Sequence, residues 1–322
     1  MIGESKSLLR SAVRWGLNIV ALVVLGPLAA APIVGLADAH GGHAVTLLLN
    51  GSAAGGVFAC VVVILAGVVA AFVGSRLAGV QMGRTVSGLT VAWAAFSLGD
   101  VGNALRASGD GGGVGAGAVL AMVIEAAIVL VGGAVMLYVA AWADRDRAAR
   151  VEAKRAGPEE AAMIGSPAGF AKAFARSGVL LGVGLGAVGA LVGAWLVARD
   201  DLRGQAFMAG VLGAVLAGAA ARLAGALLPG GDPKLAHRAE IPGLGVLAAG
   251  VVAPVLVFVI PGLGNVDGAV RGATFTGPSA LASLDWLGGA LLGTTIGINW
   301  AGSLMEREPS DSKPAKRGSG RR

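Results

Sequence analysis

One cysteine, one tyrosine and three histidines in 322 residues leave little with which to run acid–base, nucleophilic or metal chemistry. The lone thiol, Cys60, excludes a disulfide or a multi-cysteine metal framework within the chain, and its place in an apolar run makes it silent about redox compartment. Charge is scarce too, at 14% of residues, and aromatics make up 5%. There is no Walker lysine motif, no G-x-S-x-G elbow and no H-E-x-x-H helix. The formal net charge is +6 and the pI is near 10.1, but no basic cluster is interleaved with aromatics, so the excess does not read as a nucleic-acid surface. These scarcities argue against an enzyme, a bound cofactor, a metal centre and a nucleic-acid partner.

Apolar residues are what the chain has instead: 55% of it is hydrophobic, its mean hydropathy is +0.77, and 55 residues are glycine. That composition belongs to an all-α polytopic integral membrane protein whose helices pack backbone to backbone. Eight apolar runs cover 15–37, 53–73, 85–98, 117–142, 178–198, 206–228, 241–260 and 281–304. About 20 residues of helix cross a ~30 Å hydrocarbon layer. The first run follows Lys6, Arg10 and Arg14 and ends in Ala37-Asp38-Ala39, like a signal peptide, but it is too long for one and reads as a retained span. The short third run carries Thr85, Ser87, Thr90 and Ser97 and belongs inside the bundle, where hydroxyls find partners. Pro254, inside the seventh run, predicts a kink.

Lysine and arginine alternate between the two ends of these runs. All but four of the 25 fall on one side; only Arg106, Arg199, Arg203 and Arg271 fall on the other. By the positive-inside rule this predicts eight spans with both termini cytoplasmic, in a prokaryotic inner (plasma) membrane. The basic segments are suited to anionic lipid at the cytoplasmic face.

The chain also reads as one unit written twice. Leu98-Gly99-Asp100-Val101-Gly102-Asn103-Ala104-Leu105-Arg106 returns as Leu263-Gly264-Asn265-Val266-Asp267-Gly268-Ala269-Val270-Arg271. Further anchors follow in the same order: Arg10, Arg14 and Gly16 with Lys172, Arg176 and Gly178; Arg76-Leu77-Ala78-Gly79 with Arg222-Leu223-Ala224-Gly225; Trp142 with Trp300. Four spans is an even number, so both copies enter the membrane in the same direction, as a parallel repeat about an axis along the membrane normal. The expected units are a first four-helix repeat over 1–143, a cytoplasmic linker over 144–165, a second repeat over 166–305 and a disordered basic tail over 306–322.

Few residues are candidates for function. Glu125 lies about eight residues into the fourth run, roughly 12 Å along the helix at ~1.5 Å per residue. A carboxylate at that depth is a candidate proton carrier, cation ligand or helix tie. Asp285 lies near the start of the eighth run, beside Trp286, at interfacial depth. In the repeated outer loops Arg106 and Arg271 are placed to pair with Asp100 and Asp267, and Asn265 stands where the first copy has Asp100. Asp38, His40 and His43 have the form of an incomplete metal set in a Gly-rich loop. Gly184-x-Gly186-x-x-Gly189 matches a dinucleotide fingerprint, but no βαβ unit follows, so helix packing explains it, as it explains Gly289, Gly293 and Gly297. The sequence therefore leaves two functional expectations. One is passage of a small solute or proton between the two repeats, with Glu125 as the titrating group. The other is a non-catalytic membrane scaffold or subunit that meets a protein partner through Gly-rich faces.

Overall fold

A computed structural model describes residues 2–36, 46–48, 52–99, 116–156, 177–198, 203–227, 238–259 and 277–305. The described part of each of the eight apolar runs lies largely on helix, and the described residues contain no strand. Helix α1 (Ile2–Val20) passes through a π turn (Ala21–Leu25) into α2 (Gly26–Val34), one continuous rod. Pro27 has no N–H for the hydrogen-bond ladder, and the rod widens just ahead of it, the Gly26 N–H reaching back five residues to the Ala21 carbonyl.

Helix α3 (Ala53–Ala78) starts at Ser52, whose hydroxyl accepts from the Gly55 N–H at 3.1 Å. It ends on Gly79, whose φ of 98° suits glycine and lets α4 (Val80–Phe96) turn back at once. Helix α5 (Ala116–Ala156) outruns the expected span: the segment assigned to a linker begins as its continuation, because Ala, Arg, Glu and Lys between 143 and 156 are strong helix formers. Then come α6 (Ser177–Val197), α7 (Arg203–Leu227), α8 (Glu240–Val259), a 3-10 turn (Pro278–Ala280) and α9 (Ser283–Met305). Helix α8 runs on through Pro254.

Glycine sets the closest approaches. A Cβ on Gly289, Gly293 or Gly297 of α9 would strike a backbone carbonyl of α7, that of Gly210, Val211 or Val215 respectively. On α6, Gly186 lies against Pro242 of α8, and Gly189 and Gly193 lie against Ala217 and Gly213 of α7. The glycine seams are thus internal contacts between the chain's own helices. Gly184, first residue of the fingerprint-like pattern, has nothing within 4 Å of where a Cβ would stand.

In the first four-helix set, the α1–α2 rod packs on α3 and α4, α3 packs on α4 and α5, and α4 packs on α5. In the second, α6 packs on α7 and α8, α7 packs on α8 and α9, and α8 packs on α9. Between the sets α4 lies on α9 and touches α7, α5 lies on α8, and α5 meets α9.

Among the described residues, five helical stretches are long and apolar enough to cross a membrane: Leu8–Val34, Ala53–Ala78, Val119–Asp146, Val179–Val197 and Arg203–Ala226. Helices α4, α8 and α9 fall short in length or hydropathy. They are also well enclosed, α9 being buried without interruption from Ser283 to Leu291. A helix screened from lipid by its neighbours has no need of a uniformly apolar surface. Trp15, Trp93, Trp142, Trp195 and Trp300 are exposed near the ends of the apolar stretches, the position of an interfacial aromatic belt. Trp142 stacks on Phe72, the Arg76 guanidinium lies over both rings, and Arg76 pairs with Asp146.

Candidate functional site

Two carboxylates are buried beside the start of α9, and each holds a stretch of non-helical backbone. Irregular backbone at membrane depth survives only where the protein itself satisfies its N–H and C=O groups. Glu125, on the side of α5 that faces α9, is 2% exposed. Its Oε2 accepts from the Leu48 N–H at 3.0 Å and its Oε1 accepts from the Ser283 hydroxyl. The Leu47 N–H and the Thr46 hydroxyl also donate to the carboxyl. Thr46 and Leu47 are themselves buried. One side chain therefore ties the 46–48 segment of the first set to the first residue of α9 in the second. Its hydrogen-bond partners among the described residues are all neutral.

Asp285 does the corresponding work on the other side. It is wholly buried by its neighbours. Gly277, at φ 91°, opens the buried approach to α9, and its N–H reaches the Ala198 carbonyl at the end of α6 at 2.8 Å. The approach closes with the Ala282 N–H donating to Asp285 Oδ2 at 2.8 Å, half of a capping box, since Asp285 is the third residue of α9. Asp285 Oδ1 is paired with the Arg203 guanidinium from the first residue of α7. Gln205 donates to the Val197 carbonyl at 3.0 Å, so the starts of α7 and α9 and the end of α6 are joined.

A second polar contact between the sets stands at their other end. Arg84, early in α4, pairs with Glu240, the first residue of α8, at 2.6 Å, both side chains buried. The Glu240 carboxylate also complements the α8 dipole. Side chains fill the space between the two polar ends. Gly133 of α5 receives Leu247 and Leu287, Gly88 of α4 receives Leu291 and Leu292, and Gly243 of α8 receives Leu137. Inside α4, Ser87 donates across to the Gly67 carbonyl at 2.8 Å. Thr85, Thr90 and Ser97 return to carbonyls one turn back on α4 itself.

Of the residues singled out from sequence, Glu125 and Asp285 are described, and they stand at the same junction, joined through the first turn of α9. Asp100, Arg106, Asn265 and Arg271 lie outside the described residues, as do Asp38, His40 and His43. Among the described residues no three of His, Cys, Asp and Glu are grouped to hold a metal ion. Sequence reading missed Thr46, Ser283, Arg203, Arg84 and Glu240. A signal existed for one: Ser283 stands as far beyond Glu125 as Trp300 stands beyond Trp142, 158 residues. The others look like ordinary loop or helix-end residues until the helices are packed. Comparison with family models, curated proteins and solved structures found no match for the chain.

Proposed function

We propose that this membrane protein is a non-catalytic structural subunit of a plasma membrane. It is a rigid body rather than a conduit, made of two parallel four-helix repeats with eight spans and cytoplasmic termini. The observation that carries the reading is the closed seam: Leu247, Leu287, Leu291, Leu292 and Leu137 fill the glycine hollows between the two sets. At its ends Glu125 and Arg84 are occupied by fixed partners. A conduit along this seam needs a wet, polar lining. Two facts support the repeat. The list of packing neighbours is the same in each set, and the main contacts between sets are reciprocal, α4 on α9 and α5 on α8. Further, Glu125 and Ser283 are related by the same separation as the two tryptophans, and they touch. Equivalent positions of a two-fold repeat meet on its axis, so this contact supports the repeat reading.

A second reading, proton passage, draws on one feature. The Glu125 carboxyl is held by two hydroxyls, Thr46 and Ser283, groups able to accept a proton as well as donate one. Reconstituted vesicles with an imposed pH gradient separate the two. The structural reading expects wild type and Glu125→Gln to leak protons no faster than protein-free vesicles. A protein-dependent flux that the substitution abolishes replaces it with the transport reading.

A further inference from the structure

The chain's two most basic α1 positions line a cleft that neither the seam nor the polar ties use. Arg10 and Arg14, one turn apart, share a cavity of about 460 Å³ with Leu9, Val13, Leu77 and Ala78, between α1 and the end of α3. A second cavity of about 360 Å³ shares Arg14 and Ala78 and runs along the start of α4 past Gln81, Met82 and Thr85. Asp144 lies in the lining of the second cavity; among the described residues the first has no acid in its lining. The cleft exists because the rod leans on the bundle unevenly. Beyond the π turn Gly26 is pressed under the Trp93 ring, whereas before it α1 touches α3 and α4 only lightly.

We propose that this cleft is a binding site for one anionic phospholipid, its phosphate held by Arg10 and Arg14 and an acyl chain laid over Val13 and Leu77. Two guanidiniums one turn apart offer the paired N–H geometry that suits phosphate oxygens. Trp15, 67% exposed beside Arg14, puts these charges at headgroup depth. Leu9, Val13 and Leu77 are exposed apolar walls, which a water-soluble anion would leave wet and a lipid tail covers. Two cations facing one phosphodiester favour a headgroup with net negative charge over a zwitterionic one. The site stands apart from the closed seam and holds for a structural subunit or a transporter alike.

The test is lipid binding to the purified, delipidated full chain, read by native mass spectrometry with phosphatidylglycerol, phosphatidylcholine and inorganic phosphate as separate probes. One phosphatidylglycerol per chain is expected, with phosphatidylcholine at least about tenfold weaker. Arg10→Ala/Arg14→Ala should weaken phosphatidylglycerol about thirtyfold, a factor of about five for each arginine lost. Lys154→Ala/Arg155→Ala removes the same charge elsewhere and should change nothing. Leu77→Trp, which fills the cleft and keeps both arginines, should weaken binding as well. Equal binding of the two lipids, an unaffected double-arginine variant, or displacement of the lipid by excess inorganic phosphate would each overturn the assignment.

Discussion

Replacing Glu125 by alanine and by glutamine should have very different costs, and the difference can be worked from its hydrogen bonds. Alanine leaves four donors without their acceptor: the Leu47 and Leu48 N–H groups and the Thr46 and Ser283 hydroxyls. The hydroxyls can rotate toward other acceptors, but the buried Leu47 N–H and the part-buried Leu48 N–H cannot. At ~1–3 kcal/mol for each unsatisfied buried group, Glu125→Ala should destabilise the fold by about 2–6 kcal/mol, before any cavity is counted. Glutamine keeps the shape. Its amide oxygen can take the place of Oε2 opposite Leu48, and its NH₂ then faces Ser283, whose hydroxyl turns from donor to acceptor. At most one of the four hydrogen bonds is weakened by the exchange of an oxygen for an NH₂, a loss of about 1 kcal/mol. The assay is reversible unfolding of the purified protein in mixed micelles, with far-UV circular dichroism confirming equal helix content at the start. A gap of less than ~1 kcal/mol between the alanine and glutamine variants would refute the idea that this carboxyl holds the 46–48 backbone.

Two further perturbations probe the rest of the body. Gly297→Ala drives a methyl group into the Val215 carbonyl and should cost ~1–3 kcal/mol, whereas Gly184→Ala meets open space and should gain about 0.5–1 kcal/mol; equal melting shifts would contradict the α7–α9 packing. Removing either Arg84 or Glu240 alone strands a buried charge and should cost ~3–5 kcal/mol, while the apolar double variant Arg84→Met/Glu240→Leu should recover most of it. Additive losses in that double-mutant cycle would mean the two groups do not depend on each other.

The positions of the helices were legible in the sequence because the need to cross hydrocarbon is local. A run of apolar residues of sufficient length becomes helix whatever lies beside it, since only a helix satisfies its own backbone there. The apolar runs and the described helices therefore agree closely, and the helix that begins in the fourth run continues past Trp142 because the charged stretch there also favours helix. The glycines at 289, 293 and 297 were equally readable, because spacing by four places them on one face of α9.

What no local pattern contains is who faces whom. For Asp285, sequence depth counts residues from the end of a run and says nothing of the neighbours that close over it; in the folded chain Arg203 and the Ala282 N–H enclose it. Glu125 announced itself by its depth, but its partners did not, since Ser283 lies 158 residues away and Leu48 lies 77 away. Local hydropathy decides whether a segment is helical. The register in which α5, α8, α9 and α4 settle against one another decides which polar groups come within hydrogen-bonding reach, and that register is a property of the packed bundle alone.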